Sequence, residues 1–129
     1  MEYRILIVED DPGIASALAD CMAQWGLQAH CVSDFRHVMD DFMRFQPHLV
    51  LLDISLPFMN GYHWCAEIRK LSPVPVIFIS SASDNMNIIM AMNMGGDDFI
   101  AKPFDSGYWL QSFRRYCAGR TIMPPPPRC

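Results

Sequence analysis

A chain of 129 residues suits one domain and leaves little room for a second. With 51% hydrophobic and 19% charged residues it has the mix of a folded chain with one sizeable core, which excludes an intrinsically disordered one. Ten Lys and Arg against fourteen Asp and Glu leave a formal charge of −4, which argues against a basic module that reads nucleic acid.

No apolar run reaches the ~20 residues that span a bilayer. The start, MEYRILIVEDD, sets three acidic residues straight after a short apolar run, unlike a secretory signal. The cysteines (Cys21, Cys31, Cys65, Cys117 and Cys129) are odd in number and form no CxxC pair. They read as thiols of a reducing cytosol, and a cytoplasmic protein is expected.

Apolar runs alternate with helical patterns along the chain. Arg4–Val8 (RILIV) is a run rich in β-branched residues, predicted as a strand covered on both faces (β1). Asp11 or Pro12 opens a helix to about Trp25 (α1), stopped by Gly26. Gln28–Val32 is a second strand (β2). Ser33 or Asp34 is expected to cap a helix to about Phe45 (α2), which Pro47 breaks. His48–Leu52 is a third strand (β3), with Asp53 following it. Tyr62–Leu71 is a helix (α3), and Val76–Ile79 a fourth strand (β4) ending in Ser80 and Ser81. Asp84 caps a Met-rich helix to about Met94 (α4), Asp98–Ala101 is a fifth strand (β5), and a last helix runs from about Asp105 to Ala118 (α5). Residues 1–118 then form the domain, and residues 119–129 a proline-rich, extended tail.

Strict alternation with right-handed crossovers predicts an α/β, doubly wound (βα)5 sandwich of three layers. Its five-stranded parallel sheet takes the order 2-1-3-4-5. Ligands of such sheets sit outside the carboxyl ends of the strands. Those ends carry Glu9, Asp10 and Asp11 after β1, Asp53 after β3, Ser80 and Ser81 after β4, and Lys102 after β5. Clustered carboxylates repel unless a cation joins them, and a hard divalent cation such as Mg²⁺ takes oxygen ligands. Carboxylate, metal, hydroxyl and ammonium together suit phosphoryl transfer, and a carboxylate can itself be the acceptor. Taken singly, each of these residues also reads as a cap, a turn or a loop. Their coincidence at four strand ends favours the functional reading. The Met-rich stretch reads as core packing, and His30, His37, His48 and His63 share no zinc-ligand spacing.

Four segments in order, ILIVEDD, LVLLDISLP with Gly61, PVIFISS and GGDDFIAKPF, resemble the receiver domain of bacterial two-component response regulators over Arg4 to Phe104. The last segment most resembles the winged-helix transcription-factor branch. The resemblance implies a flavodoxin-like fold and a phosphorylated interaction module rather than a turnover enzyme. It makes Asp53 the phosphoacceptor, with Glu9, Asp10, Asp53 and the backbone carbonyl of Ser55 around Mg²⁺ or Mn²⁺. Asp11 is then the helix-capping neighbour. Ser80 and Lys102 would bind the phosphoryl group. Ser80 and Phe99 would form the switch that alters the α4-β5-α5 surface. A sensor histidine kinase is the implied donor. DNA would be reached only through an effector domain, and no membrane is involved.

The chain departs from the family in places. Phe99 lacks the hydroxyl of a switch tyrosine. Asn60 stands where an acid is common and receives no catalytic role. Ile88, Tyr108 and Ser112 replace charged residues of the α4-β5-α5 face. A homodimer through that face is therefore expected to be apolar, held by Ile88 and Tyr108, with a monomer as the open alternative. Two other functions stay in view. One is a pseudo-receiver that binds a partner without phosphate, against which the intact Asp10, Asp53, Ser80 and Lys102 set argues. The other is an aspartyl-phosphate phosphatase of the haloacid dehalogenase type, which would carry an acid at the position of Ser55.

Overall fold

Runs rich in β-branched residues cannot bury one face alone when both faces are apolar, so helices must cover them on either side. The computed structural model describes residues 3–24, 26–80, 93, 95–96 and 98–101. Within them lie β1 (Arg4–Val8), α1 (Pro12–Gln24), β2 (Gln28–Cys31), α2 (Val38–Phe45), β3 (Leu49–Asp53), α3 (Gly61–Arg69), β4 (Val76–Ser80) and β5 (Asp98–Ala101). The sheet is parallel and runs β2-β1-β3-β4-β5, the order expected. The helices expected over Asp84–Met94 and Asp105–Ala118, and the tail, lie outside the described residues apart from Asn93, which is helical.

The period of two along each strand divides the interior. Leu6, Val8, Val50, Leu52, Val76 and Phe78 face a core completed by Val38 and Phe42 of α2 and Trp64, Cys65 and Ile68 of α3. Their neighbours Ile5, Ile7, Leu49, Leu51, Ile77 and Ile79 face a second core closed by Ala15, Leu18 and Met22 of α1. Truncating one such buried aliphatic to alanine costs about 2–5 kcal/mol.

Local chemistry sets the helix ends. The Asp11 carboxylate accepts from the N–H groups of Gly13 (2.9 Å) and Ile14 (3.2 Å), so Asp11 caps a helix that begins at Pro12. At the other end Leu27 N–H bonds to the Met22 carbonyl and Gly26 N–H to that of Ala23. Gly26, at φ 74°, makes the left-handed turn this paired closure needs. The start of α2 differs from the expectation. Asp34 spends its carboxylate on a tight turn, accepting from Arg36 N–H (3.0 Å) and meeting His37 Nδ1 (2.9 Å), so the helix begins only at Val38. Its C-terminal carbonyls, those of Phe45 and Gln46, accept from Arg4 Nε at 2.9 and 3.0 Å.

Two further contacts tie distant parts of the sheet. His48 Nδ1 accepts the Arg4 N–H at 2.9 Å. Burial, reinforced by the Arg4 charge, holds the His48 pKa below its ordinary value. On the other side, Arg69 of α3 donates through Nε to the Gly95 carbonyl (2.9 Å) and through Nη1 to that of Val74 (2.5 Å). One guanidinium thus bridges the approach to β4 and the turn before β5.

Candidate functional site

The register aligns the strand ends. Val8 pairs with Leu52, so Glu9 comes level with Asp53. Asp53 pairs in turn with Ile79, and Ser80 with Ala101. The carboxylates of Glu9, Asp10 and Asp53 converge, each offering an oxygen within 4.8 Å of the others. Glu9 and Asp53 are almost fully buried, at 3% and 2% exposure, while Asp10 is open to solvent. Sequence reasoning placed Asp53 after β3, but it is the last residue of the strand and pairs with Ile79 of β4.

Each acid is oriented locally. Glu9 Oε1 accepts the Asp11 N–H at 3.1 Å, so the residue that caps α1 also steadies Glu9. Asp53 Oδ1 accepts the Ser55 N–H at 3.2 Å. Two ionised carboxylates about 5 Å apart repel by roughly 3 kcal/mol at an effective dielectric of ~20. The donor set suits a hard cation. All three groups are oxygens, and the oxygens of one Mg²⁺ shell lie about 3–4.2 Å apart, within a small side-chain adjustment of those here. Mn²⁺ would accept the same ligands.

The segment after Asp53 is built around Gly61. Its N–H bonds to the Ile54 carbonyl at 2.9 Å, and Ile54 N–H bonds to that of Ile79 at 3.1 Å. A Cβ on Gly61 would collide with the Asp53 carbonyl oxygen and press on Ile54 Cα at 3.0 Å. Only glycine lets α3 start this close to the acceptor strand. Asn60, expected to have no catalytic part, caps α3 by accepting the His63 N–H at 3.0 Å.

The same loop holds a feature that sequence reasoning missed. Phe58 has φ 71°, and the Met59 N–H reaches the Pro57 carbonyl at 2.9 Å around it. This is the rare form of γ-turn, and a bulky residue there costs about 1–2 kcal/mol. The ring is 64% exposed and lies under the Arg36 guanidinium, 4.5 Å from its centroid.

Ser80 ends β4 and Phe99 lies in β5 beside Phe78, but their side chains are outside the described residues. Lys102, Ile88, Tyr108 and Ser112 lie outside them altogether. Of the expected site residues, the structure therefore brings together Glu9, Asp10, Asp53 and Ser55. Cys21 and Cys31 are free thiols, and burial pushes both up, with the Asp20 charge adding at Cys21. That makes the two poor nucleophiles. No helix among the described residues is long and apolar enough to cross a membrane.

A doubly wound sheet with an acidic cluster at its carboxyl edge and a buried aspartate at the end of β3 defines a signalling receiver. The family model for the response regulator receiver domain matches residues 5–114, and the chain belongs to that family. Its relatives carry the names of transcriptional regulatory, sensory transduction and response regulator proteins. The chain is 46% identical over 102 residues to the uncharacterized transcriptional regulatory protein YvcP of Bacillus subtilis, covering 79% of this chain and 43% of that protein. It is 41% identical over 102 residues to the sensory transduction protein BceR of Halalkalibacterium halodurans, covering 79% of this chain and 44% of that protein. Among solved structures, the N-terminal domain of the nisin resistance regulator NsrR, a lantibiotic response regulator, superposes with a TM-score of 0.80 at 46% identity. That match covers 88% of this chain and 96% of the other. The chain thus spans less than half the length of these curated relatives.

Proposed function

We propose that Asp53 accepts a phosphoryl group from the phosphohistidine of a sensor kinase in the cytoplasm. The observation that carries the proposal is the buried Asp53 carboxylate, level with Glu9, near Asp10, and steadied by the Ser55 N–H. Burial removes competing water, and fixed position turns phosphoryl transfer into a matter of alignment. Glu9, Asp10, Asp53 and the Ser55 carbonyl would hold Mg²⁺ or Mn²⁺. When bound, the cation supplies positive charge to the phosphoryl oxygens as they pass to Asp53. Glu9 and Asp10 orient on the site from β1 and the α1 cap, and exposed Asp10 keeps it open to solvent. Ser80 ends β4 and Lys102 is next in sequence after Ala101 of β5, and their hydroxyl and ammonium would bind the transferred group. Ser80 and Phe99 would then couple phosphorylation to the α4-β5-α5 surface.

The chain would act as an interaction module rather than a turnover enzyme. Ser55 stands where a dehalogenase-type phosphatase needs its second acid. Residues 1–118 would form the receiver and residues 119–129 a tail. The output would reach DNA through an effector domain of the kind implied by the relatives' names and greater length. A homodimer on the α4-β5-α5 face would rest on Ile88 and Tyr108. The decisive test is to incubate the protein with Mg²⁺ and a small acyl phosphate and weigh it intact. One phosphoryl adduct is expected in the wild type and none in Asp53→Asn. An adduct that survives the substitution would overturn the assignment of Asp53.

A further inference from the structure

Strained backbone persists only where the surroundings over-determine it, and it gathers at functional loops. Phe58 is such a residue, three positions beyond Ser55 and five beyond Asp53. Nothing in the hydrophobic core accounts for it, because its ring is largely exposed. Among the described residues its ring meets Arg36, from the separate turn between β2 and α2. That turn is itself fixed, since the Asp34 carboxylate holds both the Arg36 N–H and the His37 ring. A rigid turn therefore presents a cation to a strained aromatic in the loop that leads from the acceptor strand to α3.

Elsewhere the loop is held by Ile54 and Leu56, which pack on the α2–α3 core, and by Asn60, which caps α3. Gly61 N–H bonded to the Ile54 carbonyl closes its base. The γ-turn at Phe58 sets its tip. Between the two lies Ser55, whose N–H donates to Asp53 Oδ1 at 3.2 Å. Only Leu56 and Pro57 separate Phe58 from Ser55 along the chain, so a change in the tip has a short path to Ser55.

We propose that Arg36 and Phe58 form a latch that positions the Ser55 backbone against Asp53, making both of them positioning residues for the acceptor site. This rests on the function proposed above only where it concerns the cation; the effect on Ser55 stands without it. The latch joins the β2–α2 turn to the β3–α3 loop across the edge of the site. A neutral side chain at position 36, or an aliphatic one at position 58, releases the tip. The γ-turn then relaxes and the Ser55 N–H leaves Asp53 Oδ1 more often.

Amide hydrogen exchange resolved to single residues tests this in the metal-free protein, followed by Mg²⁺ titration of the same samples. An exposed cation–π contact corresponds to about two- to fivefold in an equilibrium. Arg36→Ala and Phe58→Leu should each speed exchange at Ser55 and Met59 by about that factor. The Val50 amide, which bonds to the Pro75 carbonyl in the sheet, should not change. Arg36→Lys should restore much of the protection, and the double variant should add nothing to either single one. The Mg²⁺ concentration at half-saturation should rise by the same factor. Unchanged Ser55 exchange in Arg36→Ala would overturn the latch. So would faster exchange at Ser55 and Val50 alike, which would mean a general loss of stability. If Ser55 responds as expected but the wild type binds no Mg²⁺, the latch stands and the metal-dependent reading of the site falls.

Discussion

Replacing Gly61 by alanine adds one methyl group at the point where α3 meets the acceptor strand. That methyl would overlap the Asp53 carbonyl oxygen and crowd Ile54 Cα, both of them backbone atoms. Side chains can rotate away from an intruder, but backbone held in a sheet cannot. The cost therefore falls at the upper end of the range for overpacking, about 3 kcal/mol. Unfolding entropy near the midpoint is about 2.1 cal/mol/K per residue, or roughly 0.27 kcal/mol/K over 129 residues. The melting temperature should then drop by about 10 °C. Gly26→Ala is the matched control. Nothing lies within 4 Å of its added carbon, but φ 74° is unfavourable for alanine. It should lose about 1 kcal/mol, or roughly 4 °C. Circular dichroism melts give the stability of both variants. Acyl-phosphate labelling below the midpoint reports on the site, and Gly61→Ala should label slowly while Gly26→Ala labels at the wild-type rate. A Gly61→Ala protein that melts within about 2 °C of wild type would show that the loop yields easily and that the steric argument is wrong.

Two other outcomes follow from the charged groups. Millimolar Mg²⁺ should raise the melting temperature, by about 2.7 kcal/mol of added stability at 100 times Kd, and Asp10→Ala should remove the rise; a flat wild-type response would count against a formed cation site. His48, with its pKa lowered by burial and the Arg4 charge, favours its neutral form in the folded state. The unfolded chain binds more protons between the two pKa values, so this contribution is complete above about pH 6.5 and is lost as pH falls through the lower, folded pKa. His48→Asn keeps an acceptor near the Nδ1 position and removes the titration. Urea unfolding at pH 7.5 and 5.5 should show a smaller acid loss in the variant than in wild type, and equal losses would exclude His48 as the source.

Most of the sheet was legible because its strands are short, apolar and bounded by clear stops. RILIV and the DFIA run before Lys102 can be little else, and the sheet order follows from alternation and crossover handedness. The acidic site was legible for the same reason, since strand ends of such a sheet converge. The start of α2 was not, because Asp34 has two uses for its carboxylate and the sequence does not say which wins. Bonding within the turn to Arg36 and His37 won over capping a helix. The burial of Glu9 was also hidden. An acidic triplet looks uniformly wet until the register sets its first member level with Asp53. The left-handed Phe58 left no signal, because an aromatic residue is among those least expected at positive φ. Gly61 did leave one: a glycine eight residues after a strand-end aspartate, at the start of a helix.

The alternation along β1, β3 and β4 has a consequence for how this chain tolerates change. The sheet is a partition one residue thick, and neighbouring positions in a strand answer to different helices. Ile7 belongs with α1, whereas Leu6 and Val8 belong with α2 and α3. Substitutions that repack one compartment are screened from the other by the backbone itself, and distant, unshared sites combine nearly independently. The α1 face can therefore drift toward a new partner while the α2–α3 wall keeps its packing. The carboxylates at the strand ends are the place where the compartments meet: Glu9 follows β1 and Asp53 ends β3, two strands that serve both. Variation among the described strands is thus free to be modular except at the edge where the acidic cluster lies.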